Sequence, residues 1–200
     1  VIQINSDPAP TSVTAAVPEA LVKKALESDR LIKGNPTASL TLTEYSDFQC
    51  PACGEYYPIV KKLSEEYGDR VKFSYRHFPL TNIHRNAFAA ALASEAAAAQ
   101  GKFWEIHDLI FENQENWSLS GNPYSLFLTY ARSLGLDEAK FEADFRSQES
   151  EDKINADYGG GVSLGVNSTP TFFINNERLL RNPRSYDEFK SLLDEYLAKI

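Results

Sequence analysis

The tightest constraint on this chain is a junction. An alternating run, Leu40-Thr41-Leu42-Thr43-Glu44-Tyr45, reads as a strand, and a helical run begins at Gly54 and continues to Tyr67. The only two cysteines, Cys50 and Cys53, sit where the period changes, spaced as Cys50-Pro51-Ala52-Cys53. A thiol at the start of a helix faces backbone N–H groups with no partner inside the helix. It also faces the positive end of the helix dipole, and both favour thiolate. Thiolate is the nucleophile of disulfide exchange. A second thiol three residues on shares the same helix face and can resolve a mixed disulfide.

Two other uses of the pair fit less well. Zinc takes four ligands, and the chain has no second CxxC. His77, His84 and His107 lack ligand spacing, so no metal is expected. A structural bridge closing two intervening residues restrains little of the unfolded chain. Redox catalysis is the expectation, with the Cys50–Cys53 disulfide as the redox group and no separate cofactor.

The remaining numbers bound the class. Two hundred residues suit one domain, or one domain with a large insertion. Hydrophobic residues make up 42% of the chain, with 12 Phe and 10 Tyr, enough for a full core. A net charge of −8 argues against a nucleic-acid partner. No apolar run approaches the ~20 residues of a membrane span. The sequence starts at Val1 and contains no Met, which reads as a processed or trimmed form. Residues 1–17, with Pro8 and Pro10, read as a flexible leader.

Along the chain, residues 17–26 read as a short amphipathic helix, and Gly34-Asn35-Pro36 as a break. Residues 38–46 form a strand with Leu40, Leu42 and Glu44 on one face. Cys50 to Tyr67 is a helix interrupted by Pro58, and Val71 to Arg76 a second strand. The pattern is then helical from Ile83 to about Gly165, with an alanine-rich run over 87–99 and a cap at Asp137. Thr171 to Ile174, the turn Asn175-Asn176, and Arg178 to Leu180 form a hairpin. Ser185 with Glu188 is a capping box opening a last helix. The order is β-α-β, a helical block, then β-β-α. It predicts an α/β thioredoxin-type fold with an inserted α-helical domain. The parts are residues 18–82, the insertion 83–165, and residues 166–200.

The run from Glu44 to Cys53 (Glu44-Tyr45-Ser46-Asp47-Phe48-Gln49-Cys50-Pro51-Ala52-Cys53) resembles the DsbA-like thioredoxin-fold oxidoreductases. So do Arg76-His77-Phe78-Pro79-Leu80, the stretch from Gln100 to Asp108, and the stretch from Gly165 to Ile174. The resemblance covers roughly residues 36–200. It implies thiol–disulfide exchange, with Cys50 as nucleophile, Cys53 as resolving thiol and Pro170 as a cis-proline beside them. Glu44 matches the family's buried acid and Pro58 the kink proline of the active-site helix. Thr169 would point its hydroxyl at the Cys50 sulfur.

Residue chemistry stands beside that resemblance. Burial on the leucine face would raise the Glu44 pKa and suit it to shuttle the Cys53 proton. Pro51 fits the first helical turn, and Ala52 offers neither charge nor hydrogen bond. Strongly oxidising members of the family often carry His at that position, so a milder oxidant is expected. Phe48, with Tyr56 and Tyr57, reads as an apolar peptide-binding surface, with core packing the alternative. His84 and His107 read as core or cap residues.

The expected function is a monomeric oxidase of cysteine-containing polypeptides outside the cytoplasm. A membrane redox partner, quinone-linked by analogy with the family, would restore its disulfide. The lack of spare cysteines agrees with an oxidising compartment. The alternatives are an isomerase or reductase running the same chemistry in reverse, and a thioredoxin-like module that binds a metal or partner without turnover.

Overall fold

The computed structural model describes residues 14–16, 18, 20–21 and 30–200. Six strands form one sheet: β1 (Thr14–Ala16), β2 (Ile32–Gly34), β3 (Leu40–Ser46), β4 (Val71–His77), β5 (Thr171–Ile174) and β6 (Glu177–Leu179). Their order across the sheet is β1-β6-β5-β3-β4-β2. Only the β3–β4 pair is parallel. It is joined by helix α1 (Pro51–Tyr67), a crossover of the kind a parallel pair requires. The other pairs are antiparallel.

β3 sits between β4 and β5, so its register is set from both sides. Glu44 lies opposite Tyr75 on one neighbour and Phe172 on the other. Six of its seven residues are buried, including Thr43. The apolar/polar alternation in this strand therefore marks two packed faces, not a core and a solvent face.

Between β4 and β5 run α2 (Ala87–Ala98), α3 (Phe103–Glu112), α4 (Gln114–Ser118), α5 (Pro123–Ser133), α6 (Glu138–Phe145) and α7 (Gln148–Ser163). α8 (Tyr186–Leu197) closes the chain. The caps are chemical. Asp137 accepts from the Lys140 N–H at 2.8 Å, and Ser185 from the Glu188 N–H at 3.2 Å. The Glu188 carboxylate accepts from the Arg184 N–H, one residue earlier than the reciprocal bond of a capping box. The β5–β6 turn places Asn175 at φ 50°, and its side chain and N–H bond Thr41 of β3. Asn tolerates that left-handed conformation.

One core lies between the sheet, α1 and α8, with Leu42, Leu63, Phe172 and Phe189 among its members. A second joins the helical insertion to the active-site turn and includes Phe48, Cys53, Tyr75, Trp117 and Phe127. The insertion is also pinned by buried charge. Arg76 reaches Asp157 at 3.1 Å, and His77 Nε2 lies 2.8 Å from Glu95. Arg30 pairs with both carboxylates. This explains Arg76-His77 at the end of β4: both side chains face the insertion, not solvent.

One sequence expectation needs correction, and two short elements carried no sequence signal. Thr14–Ala16, inside the stretch read as a flexible leader, pairs with β6 as an edge strand. Gly34 ends a strand the sequence did not reveal, β2, because three residues are too few to show a period. Its φ of 85° suits the turn that follows. Helix α4 was hidden between α3 and α5 for the same reason. Of the expected helix over 17–26, Ala20 and Leu21 are helical, and most of the rest lies outside the described residues.

Candidate active site

Cys50 is the N-cap of α1, and Pro51 occupies its first turn. That placement follows from sequence, since proline is favoured in the first turn of a helix, where no N–H is required; Pro58 lies inside the same helix, which continues through it to Tyr67. The turn leading in is tied by Asp47. Its carbonyl accepts the Cys50 N–H at 3.0 Å, and its buried carboxylate accepts the N–H of Gln49 at 2.7 Å and of Leu80 at 2.9 Å. His84 Nδ1 lies 2.7 Å from the same carboxylate. His84 is thus a partner of the active-site turn.

Both cysteines are free thiols, and they differ sharply. The Cys50 pKa is lowered to about 5, first by the hydrogen bond from the Cys53 thiol. Burial opposes this. The N–H groups of Cys53 and Ala52 add to the lowering, as does the Thr169 side chain, whose buried hydroxyl makes no hydrogen bond within geometric limits among the described residues. Cys53 moves the other way. It is fully buried, and burial pushes its pKa well above the usual thiol range, with Cys50 and Glu44 adding to the rise. Pro51 is exposed and Ala52 half-buried, while Cys50 itself is only 7% exposed, so the motif meets solvent at Pro51 beside the Cys50 sulfur.

The Cys50 Sγ–H donates to the Thr169 carbonyl at 3.5 Å, and the Thr169–Pro170 peptide bond is cis. Residues 119 apart in sequence therefore meet at the sulfur. Glu44 is buried beneath. Its pKa is raised to about 7, mainly by burial, with the Ser46 hydroxyl opposing and the nearby Cys50 adding. Glu44, Ser74, His107 and Lys61 line a cavity of about 30 Å³, space on the scale of a water molecule.

Residues 27–195 match the protein-family model described as Thioredoxin. The chain belongs to the thioredoxin family. Solved structures agree on the fold of this chain. It is similar to a thioredoxin-like oxidoreductase from Silicibacter pomeroyi DSS-3, at 24% identity and a TM-score of 0.72, covering 87% of this chain and 96% of that one. BdbD from Bacillus subtilis matches at 24% and 0.72, covering 84% and 92%. Wolbachia pipientis alpha-DsbA1 matches at 22% and 0.74, covering 84% and 90%.

The curated sequence relatives are parts of longer proteins. A 149-residue stretch is 38% identical to part of a Na(+)/H(+) antiporter NhaA 1 of Mycobacterium sp. (strain KMS), covering 74% of this chain and 24% of that protein. A 147-residue stretch is 40% identical to part of a Na(+)/H(+) antiporter NhaA 3 of Salinispora tropica, covering 74% and 22%. The chain spans about a quarter of the length of these relatives.

Among the site residues expected from sequence, Cys50, Cys53, Pro51, Ala52, Glu44, Thr169 and Pro170 come together in this structure. Phe48 does not join them as a peptide-binding surface. It is fully buried, stacked on Tyr75 with ring centroids 5.2 Å apart and tilted against Phe111 at 5.0 Å. A phenylalanine two residues before an exposed helix start faces back into the fold because the turn at Asp47 reverses the chain. Tyr56 packs on Phe172, and Tyr57 stacks on Phe111. His107 is a core residue, and burial lowers its pKa. Asp47, His84, Gln49 and Gln114 were missed as partners of the active-site turn. The Asp47–Gln49 backbone turn was legible as an Asx motif, but the long-range partners were not. Among the described residues, no three His, Cys, Asp or Glu side chains converge to hold a metal ion.

Proposed function

We propose that this chain is a thiol–disulfide oxidoreductase acting as an oxidase of cysteine-containing polypeptides. The observation that carries the reading is the split between the two thiols, Cys50 lowered to about 5 and Cys53 raised well above its usual range. A low pKa makes Cys50 a good leaving group, and a high one keeps Cys53 protonated once released.

Starting from the disulfide, a substrate thiolate attacks the Cys50 sulfur and forms a mixed disulfide. Cys53 leaves as a thiolate and takes a proton, which Glu44 supplies. A second substrate thiolate then attacks the substrate sulfur, and Cys50 leaves as the stabilised thiolate. The substrate loses two electrons and the Cys50–Cys53 pair gains them. Thr169 and Pro170 lie beside the sulfur, where an extended substrate chain would pass. Reoxidation falls to a membrane redox partner, and the reading places the protein outside the cytoplasm. Among the described residues no helix is long and apolar enough to cross a membrane.

Equilibration in glutathione buffers tests the direction. A potential near about −180 mV or higher, with net oxidation of a reduced multi-disulfide substrate, is the expected result. A value near about −270 mV would make it a reductase. No exchange at all would leave a binding module.

The antiporter relatives favour a second reading of the setting. The same exchange chemistry would serve a membrane transport protein, since the related stretches form about a quarter of proteins named for sodium–proton antiport. Trapping substrates in membranes with a Cys53→Ser variant tests this. Recovery of a transporter as a mixed disulfide supports it, and recovery of secreted polypeptides alone counts against it.

A further inference from the structure

The active-site turn is held from outside by side-chain amides of the helical insertion. Gln114, the first residue of α4, donates from Nε2 to the Phe48 carbonyl at 2.7 Å and to the Cys50 carbonyl at 3.0 Å. The Cys50 carbonyl also accepts the Gly54 N–H at 3.1 Å, the first hydrogen bond of α1. Gln114 therefore sits on the peptide group that starts the active-site helix. Gly54 makes room for it: a Cβ there would lie 2.7 Å from Gln114 Oε1.

α4 is itself anchored. Its Trp117 is fully buried and donates to the Ile110 carbonyl at 2.7 Å. From the same helix, the Ser118 carbonyl accepts Gln49 Nε2 at 2.7 Å, and Gln49 Oε1 accepts the Asn86 N–H at 2.7 Å. The turn is thus gripped at Phe48, Gln49 and Cys50 by groups that touch neither sulfur.

We propose that Gln114 is a positioning residue for Cys50: its amide fixes the two carbonyls of the active-site turn and so holds the sulfur at the N-terminus of α1. The inference rests on the exchange reading for its functional meaning. The physical argument is electrostatic. A thiolate at a helix start is stabilised by N–H groups aimed at it and destabilised by carbonyls that swing toward it. Two carbonyls bonded to one amide cannot swing. The effect falls off within a turn of the helix, so small rotations at Cys50 matter.

Gln114→Met keeps the length of the side chain and removes the donor. The measurements are thiolate absorbance against pH and the glutathione equilibrium of the same samples. The expected result is a rise of about one unit in the Cys50 pKa. The potential should become more reducing by about 30 mV, the equivalent of that tenfold change. Gly54→Ala displaces the amide from the other side. It should shift both readings the same way in the wild type and add nothing in the Gln114→Met background. Wild-type readings in Gln114→Met, or a full Gly54→Ala shift in that background, would overturn the proposal. If Gln114→Met does not fold, Gly54→Ala alone decides, and an unshifted pKa counts against it. A wild type that never forms a mixed disulfide with glutathione would sink the exchange reading, while the pKa comparison would still judge Gln114.

Discussion

His77 Nε2 lies 2.8 Å from Glu95 Oε1 in the protein interior, joining the last residue of β4 to the middle of α2. Burial alone would raise the Glu95 pKa, but the His77 hydrogen bond and charge, with Arg30, outweigh it and hold the carboxyl below its usual range. A carboxyl depressed in the folded state adds stability above its unfolded pKa, and loses it as pH falls through the folded value. Stability against denaturant should therefore fall steeply below about pH 4.5, and Glu95→Gln should flatten that limb. His77→Ala removes a buried hydrogen bond from Glu95, which keeps Arg30 as its partner, and should cost about 1–3 kcal/mol at neutral pH.

Glu44 works in the opposite sense. Its folded pKa of about 7 lies above the usual glutamate value of 4.5, so the folded protein binds the extra proton between those values. Stability from this group is complete below about pH 4.5 and falls as pH rises toward 7. Glu44→Gln should stabilise the protein by roughly 3 kcal/mol near pH 8, at about 1.4 kcal/mol per pKa unit, and by almost nothing near pH 4. The same variant should slow exchange by about 10²-fold if Glu44 is the proton donor to Cys53. Denaturation and stopped-flow exchange across pH measure the two effects separately.

The Cys50 thiol should titrate with a midpoint near 5, read by thiolate absorbance in the reduced protein. Thr169→Val removes the side chain that assists the thiolate and should move the midpoint upward. A midpoint below about 4 would place the protein among the most oxidising members of the fold and contradict the milder oxidant expected from Ala52. An unmoved midpoint in Thr169→Val would remove Thr169 from the site.

Two glycines of α7 should respond oppositely to alanine. A Cβ on Gly161 would lie 2.8 Å from the Phe78 ring and 2.9 Å from the Tyr45 ring, both buried. Gly161→Ala should therefore cost about 1–3 kcal/mol by overpacking. Gly159 has nothing within 4 Å of a Cβ, so Gly159→Ala should stabilise by up to about 1 kcal/mol through helix propensity. Thermal or chemical melts of the two variants give the comparison.

Much of this was legible in the chain because it is local. The change of period at Cys50 places a thiol at a helix start whatever surrounds it. Asp137 and Ser185 announce their helices through caps of a few residues. Leu40, Leu42 and Glu44 share a face because a strand has a period of two. The short elements β1, β2 and α4 carry no such signal, since three to five residues complete too little of any period. Phe48 misled for a related reason: an aromatic beside an active-site motif has the same composition whether it faces substrate or core.

The chemistry of the pair was settled by sequence in kind: two thiols at i and i+3, one at the end of a strand-to-helix turn, with an acid six residues upstream. The tertiary structure decided the asymmetry. Cys53 is driven up by burial against the insertion, and Cys50 is held down by Cys53, Thr169 and the helix N–H groups. Thr169 reaches Cys50 across 119 residues, and Gln114 reaches it across 64. Contacts of that span depend on how separate elements dock, and no local pattern of residue types encodes the docking.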